Sequence, residues 1–165
     1  MVSTAHKNLL EKLFKLLYSN KKLTYFRLSE TENFIENEVE PYKLKILKKG
    51  TKGTIIAIGP VLNLLKKEVN SFDLNILYCT TIKPFDFKTL NKIIKIKEKI
   101  LIIEPFYKGS VHDAVLQNEK KFLSVKSISI PNKFIYDYGD KKDIDKKIGF
   151  SKNKIYKQIT AYFNV

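Results

Sequence analysis

Apolar and polar positions along this chain switch between helical and strand periods. From Asn8 to Leu17, the residues Leu9, Leu10, Leu13, Phe14, Leu16 and Leu17 recur at helical spacing, and Ser19 and Asn20 end the segment. Leu23 to Leu28 is rich in aromatic and β-branched residues and predicts a strand. Ser29 to Glu40 then turns polar and acidic, with Glu30, Glu32, Glu36, Glu38 and Glu40, and Pro41 closes it. An acidic stretch in a basic chain predicts a linker, with a domain boundary near residue 40.

Beyond that boundary strands and helices alternate. Tyr42, Leu44 and Ile46 oppose Lys43, Lys45 and Leu47, a strand with one wet face, and Lys48 to Gly53 is a turn. Thr54 to Ile58 is apolar on both faces, as a central strand of a covered sheet must be, and Gly59-Pro60 breaks it. Val61 to Val69 places Leu62, Leu65 and Val69 on one side of a predicted helix, and Leu74 to Cys79 is the next strand. Asp86 is placed to cap a helix running to Ile94. Ile100 to Ile103 is a second fully apolar strand, ended by Glu104-Pro105. Ser110 is a candidate cap for a helix to Leu116, Val125 to Ile130 is a last strand, and Ser151 to Phe163 a helix with Ile155, Ile159 and Tyr162 on one face. Strands separated by helices of this length demand a mainly parallel sheet covered on both sides, an α/β architecture.

A length of 165 residues fits one domain with a short extra segment, and 44% hydrophobic residues is typical of a folded protein. No window approaches the roughly 18 unbroken apolar residues of a membrane span. The first residues lack a charged-then-apolar export pattern, so a cytoplasmic location is expected. One cysteine, Cys79, excludes an internal disulfide and a cysteine-rich zinc site. The net charge of +14 raises nucleic-acid binding. Against it, Arg27 is the only arginine, the lysines are spread along the chain, and the pairs Lys141-Lys142 and Lys146-Lys147 are interrupted by Asp143 and Asp145 like a solvated helix face.

Candidate chemistry is sparse. Gly50-Thr51-Lys52-Gly53 precedes a strand and lacks the spacing of a phosphate loop. His6 lies in the N-terminal stretch. His112 is followed by Asp113, but adjacent helical residues point to different faces, so a metal pair is not expected. Cys79 ends an apolar strand with no sequence-adjacent cation and is expected to be an inert buried thiol. No serine sits in a nucleophile elbow. In a doubly wound sheet ligands bind at the carboxyl ends of strands. The candidates there are Gly59, Thr80, Thr81, Lys83, Asp86 and Glu104, each with an ordinary structural alternative: Thr80 and Thr81 satisfying loop amides, Asp86 capping a helix, and Glu104 pairing with Lys83.

Four stretches, taken in order, resemble the C-terminal domain of transketolase and of its relative deoxyxylulose-phosphate synthase. They are Gly50 to Gly59; Leu77 to Asp86, with its Thr-Ile-Lys-Pro-x-Asp core; Ile102-Ile103-Glu104; and Ile130 to Phe134 followed by Tyr138-Gly139 and Ile148-Gly149-Phe150. Tyr25 to Ser29 is similar to the last strand of the preceding pyrimidine-binding domain. The resemblance implies a three-layer α/β/α fold with a five-stranded, mixed, mainly parallel sheet whose first strand is antiparallel. It places that first strand at the edge, beside the third, although a tight turn over Lys48 to Gly53 would pair the first with the second. Residues 1–40 would then be the tail of a pyrimidine-binding domain plus the acidic linker, and residues 41–165 the transketolase C-terminal-like domain.

The resemblance also implies thiamine diphosphate and magnesium in the complete enzyme, held by a Gly-Asp-Gly…Asn motif in a first domain and activated by a glutamate in a second. This chain carries neither motif, so it is expected to hold no cofactor, metal or catalytic residue alone. It would be a non-catalytic C-terminal domain or small subunit, stabilising a dimer and needing a partner chain with the cofactor- and pyrimidine-binding domains, in a homo- or hetero-oligomer without membrane or nucleic acid. A deoxyxylulose-phosphate synthase fragment and a stand-alone protein-interaction module are the alternatives. Two departures stand out. Pro105 to Ser110 replaces a glycine-rich loop, and Glu30 stands where many relatives carry an arginine on the sugar phosphate, so either the complete enzyme grips its substrate differently or Arg27 and nearby lysines substitute.

Overall fold

A computed structural model describes residues 1–3, 7–29, 40–65, 67–118 and 124–165. His6, Glu30 and most of the acidic stretch expected as a linker lie outside the described residues. Two short strands, β1 (Val2–Ser3) and β2 (Phe26–Arg27), pair in parallel and flank helix α1 (Lys7–Tyr18). The main sheet contains β3 (Lys45–Lys48), β4 (Thr54–Ile58), β5 (Asn75–Cys79), β6 (Lys99–Tyr107) and β7 (Ser124–Ile130). Its helices are α2 (Phe87–Ile93), α3 (Val111–Leu116), α4 (Lys141–Ile148) and α5 (Lys152–Phe163).

The strand order is β3-β5-β4-β6-β7. β4, β5, β6 and β7 are mutually parallel, and β3 runs antiparallel to β5 at the edge. The expected mixed sheet and edge placement are therefore both present. Side-chain alternation sorts the strands into two buried clusters. Ile55, Ala57, Ile76, Tyr78, Leu101 and Ile103 face one way and join Leu9, Leu13 and Leu17 of α1 with Ile155, Ile159 and Phe163 of α5. Ile56, Ile58, Leu77, Cys79, Ile100 and Ile102 face the other way and join Leu90 of α2 with Val111 and Val115 of α3. The result is three layers.

Several predicted elements take a different form. The helix expected from Val61 to Val69 is instead two 3-10 turns, Gly59–Leu64 and Lys67–Ser71, separated by an extended Leu65. Pro60 at the start and poor helix formers within (Asn63, Asn70, Ser71) disfavour a continuous α-helix, and the broken path still buries Val61, Leu62 and Val69. The strand expected from Leu23 to Leu28 forms only at Phe26–Arg27, where β1 supplies a partner. β6 does not stop at Glu104-Pro105. It continues to Tyr107 through a bulge, since Ile103 pairs with Ile128 and Tyr107 with Ile130. Among the described residues β7 is the one strand paired with it there, so the missing proline N–H is absorbed by the irregular register.

Candidate functional site

The carboxyl ends of the parallel strands carry most of the candidate residues, and β1 lies across them. Ser3 N–H donates to the Thr80 carbonyl (2.8 Å), Ile82 N–H to the Met1 carbonyl (2.9 Å), and Val2 N–H to the Tyr25 carbonyl (2.9 Å). Val2 also bridges Thr81. Gly59 follows β4 with φ of 56°, and a Cβ there would sit 2.5 Å from Ser3 Oγ. A glycine at this strand end is thus required by the close approach of β1, which nothing in the local pattern announced beyond the glycine itself.

The remaining candidates divide between structural roles and groove walls. Thr81 Oγ1 accepts from Tyr42 N–H (3.2 Å), the loop-amide role expected of it, whereas the Thr80 hydroxyl is buried with no hydrogen-bond partner among the described residues. Asp86 caps α2 by accepting from Thr89 N–H (3.0 Å) and also takes the Leu44 N–H (3.0 Å). Burial opposes its ionisation, yet the bonds from Thr89 and Leu44 and the Lys43 charge hold its carboxyl below the usual range. Lys83 does not pair with Glu104. It lines an open hollow of about 420 Å³ with Met1, Lys22 and Tyr42, on the far side of β1.

Glu104 is fully buried in the bulged part of β6. Its carboxylate accepts from Ser127 Oγ of β7 (2.8 Å) and from Val111 N–H, the first residue of α3 (3.3 Å). Ser110, the expected cap, makes no side-chain cap bond, and the role falls to Glu104, seven residues before Val111. Burial pushes the Glu104 carboxyl up, while Ser127, the Val111 and Gly109 amides and nearby His112 pull it back. His112 is buried, and its Nδ1 meets the Asp113 carboxylate at 2.9 Å even though the two are adjacent in the helix. Among the described residues no three histidine, cysteine or carboxylate side chains gather as metal ligands. Burial pushes the Cys79 thiol up to about 12, which agrees with an inert buried cysteine.

Arg27 reaches the same end of the sheet from β2. Its Nη2 donates to the Pro105 carbonyl (3.0 Å), and its guanidinium lies 5.1 Å from the Phe106 ring centre. The β6 bulge leaves that carbonyl out of the ladder and available to Arg27. A second hollow, about 260 Å³, opens beside it between the strand ends, α4 and the segment after β7. Sequence reasoning missed this hollow, since its walls come from stretches far apart in the chain, from Ser3 to Phe150. It also missed β1.

A five-stranded mixed sheet with one antiparallel edge strand, covered on both faces and ending in a helix packed on the first layer, is the architecture of the transketolase C-terminal domain. In fold the chain is a transketolase C-terminal-like domain. It is similar to the 1-deoxy-D-xylulose-5-phosphate synthase of Malacoplasma penetrans (strain HF-2), 27% identical over 162 residues, 92% of this chain and 26% of that enzyme. It is likewise similar to the synthase of the same name from Thermotoga maritima, 27% identical over 138 residues, 81% of this chain and 22% of that enzyme. Among solved structures it matches a split gene transketolase, an inactive beta4 tetramer, with a TM-score of 0.78 and 16% identity over 99% of this chain and 57% of that one. No family model matches the chain. The chain thus spans about a quarter of the length of these synthases. Among the described residues no helix is long and apolar enough to cross a membrane.

Proposed function

We propose that this chain is a non-catalytic C-terminal domain or small subunit of a transketolase-type thiamine-diphosphate enzyme, and that it acts in assembly and dimer stabilisation. Residues 1–40 would form the tail of the pyrimidine-binding domain and its linker, and residues 41–165 the C-terminal-like domain. The observation that carries the reading is the apolar surface left in water around α1 and β2. Leu9, Leu13 and Leu17 are buried, but Phe14 and Leu28 are more than half exposed, Tyr18 is 78% exposed, and Leu23 has no cover. Phe14 lies 5.5 Å from the Tyr18 ring and 5.7 Å from Phe26, so the exposed rings are continuous with the core edge. A contiguous apolar surface of this kind marks an interface.

The described residues do not fit a magnesium–diphosphate pair. The hollows at the strand ends are walled by lysines, one arginine, apolar groups and a few neutral polar ones such as Asn20, Thr24 and Ser3, and among the described residues their one carboxylate, Asp145, is bound to Lys141. The cofactor, which supplies a stabilised carbanion when bound, is therefore assigned to a partner chain. The partner reaction transfers a two-carbon ketol unit between sugar phosphates in the leading reading. The similarity to two deoxyxylulose-phosphate synthases favours a second reading, in which pyruvate is the donor.

Light scattering of the purified chain, alone and mixed with a chain carrying the cofactor- and pyrimidine-binding domains, tests the assembly role. Self-association or a stable complex is expected, and a monomer with no affinity for that chain would overturn the proposal. Ketose donors against pyruvate in the reconstituted complex separate the two reactions. Thiamine-diphosphate turnover by the isolated chain would contradict the non-catalytic role.

A further inference from the structure

We infer that the lysine-rimmed hollow at the amino ends of β4 and β6 docks an acidic polypeptide segment of a partner protein, one that also carries aliphatic side chains. This goes beyond the assembly role and does not depend on it. The hollow, about 250 Å³, opens between the turn before β4, the turn before β6 and the end of α5. Lys52, Lys95, Lys97 and Lys99 stand around it with one carboxylate, Glu98, so four cations less one anion leave +3. Glu98 is turned inward. It is 7% exposed and accepts from the Thr54 hydroxyl, the Asn75 amide (3.3 Å) and the Lys95 N–H (2.7 Å). Among the described residues no carboxylate, the C-terminal one included, forms an ion pair with any of the four lysines. The charges outside the described side chains do not reverse the sign. Lys66 and Glu68 cancel, and Glu119, Lys120 and Lys121 ahead of β7 sum to +1. The acidic stretch 30–39 is tied at both ends to the opposite, carboxyl end of the sheet: Ser29 lines a hollow there with Pro105 and Ile130, and Tyr42 N–H donates to Thr81 Oγ1 (3.2 Å).

The rim is held in place by the chain beneath it. Glu98 pins the turn from Lys95 to Glu98, in which Lys97 takes a left-handed backbone with φ of 61°. Lys52 N–H donates to the Asp73 carbonyl (2.9 Å), and Lys99 Nζ to the Tyr162 carbonyl (2.9 Å). Charges mounted on a fixed backbone give up less freedom on binding. One exposed ion pair still strengthens binding only about two- to fivefold, so a single small anion gains little here. A chain of repeated anionic groups engages several lysines at once. Among polyanions, the rim favours polypeptide over nucleic acid. Its lining holds no arginine, and Arg27 lies at the far end of the sheet. It offers no open aromatic face to a base: Phe163 is 7% exposed, and Lys99 and Lys126 cover the Tyr162 ring at 5.5 and 5.9 Å. Its exposed apolar group is Ile96, 79% exposed between Lys95 and Lys97, a contact suited to an aliphatic side chain.

Amide-detected NMR titration of the 165-residue chain tests this with three probes of equal length: a peptide repeating Glu-Glu-Leu, a peptide of glutamate alone, and an oligothymidylate. The Glu-Glu-Leu peptide should shift the Lys52, Ile96 and Lys97 amides saturably, with a Kd of about 0.1–1 mM at about 50 mM salt, and bind at least about fivefold more weakly at about 300 mM. The all-glutamate peptide and the oligothymidylate should each bind about threefold or more weakly by comparison. Lys95→Glu with Lys97→Glu, both exposed, should weaken the Glu-Glu-Leu peptide by about tenfold or more. Lys133→Glu with Lys142→Glu makes the same charge change at the other end of the sheet and should alter it by less than about twofold. Ile96→Ser leaves every charge in place and should remove the preference for the leucine-containing peptide. No saturable shift of these amides up to about 5 mM peptide would overturn the proposal. So would equal losses in the two double variants, oligothymidylate binding as tightly as the Glu-Glu-Leu peptide, or an undiminished leucine preference in Ile96→Ser.

Discussion

Truncation of Glu104 discriminates most directly between a brace and a chemical group at this strand end. Glu104→Ala removes the acceptor for Ser127 Oγ and for the Val111 N–H, both inside the layer between β6, β7 and α3. Each buried donor left without an acceptor costs about 1–3 kcal/mol. Relief of the buried carboxylate offsets part of that, giving a net loss of about 2–4 kcal/mol. With a urea slope of about 2 kcal/mol per M, the midpoint should fall by roughly 1–2 M. Glu104→Gln keeps the shape and one acceptor, and should stay within about 1 kcal/mol of the parent. The pH dependence has a definite sign. Burial raises the folded carboxyl above its ordinary value of 4.5, so the folded state holds its proton after the unfolded chain has lost it. Stability is fully present below the unfolded value and declines as pH rises from there through the folded one. The midpoint of Glu104→Gln relative to the parent should therefore climb with pH across that window. Urea denaturation followed by circular dichroism at several pH values measures all three. If Glu104→Ala costs less than about 0.5 kcal/mol, or the glutamine variant is as damaged as the alanine one, the brace is wrong.

Gly59→Ala places a Cβ against Ser3 and forces a left-handed residue, so it should cost at least about 1–2 kcal/mol and speed hydrogen exchange of the Ser3 amide; unchanged exchange would show that β1 does not depend on this approach. Asp86→Ala should cost about 1–2 kcal/mol through the lost α2 cap. Because the folded Asp86 carboxyl is held below 3.8, its contribution is present above that value and fades as pH falls through the folded one, and the difference in denaturation midpoint between parent and variant should shrink in acid. Cys79 should resist a thiol reagent at about pH 8 until the chain unfolds, and rapid labelling of native protein would contradict its burial.

Local pattern determined a good part of this molecule. Thr54 to Ile58 and Ile100 to Ile103 are apolar on both faces, and such runs have no stable place except the middle of a covered sheet. Asp86 three residues before Thr89 is a cap legible within four residues, and the Lys141–Ile148 helix has the charge alternation of a solvated face. The ordered motifs resembling a transketolase C-terminal domain added the strand order that periodicity cannot supply. Tertiary structure alone decided the rest, because each feature joins residues far apart in the chain: β1 lying on Thr80 and Gly59, Glu104 capping α3 while holding β7, and Arg27 anchored on Pro105. Hydrophobic period reports which way a side chain points within its own element. Which carboxylate finds which amide, and which carbonyl finds which guanidinium, depends on how the layers bring those elements together.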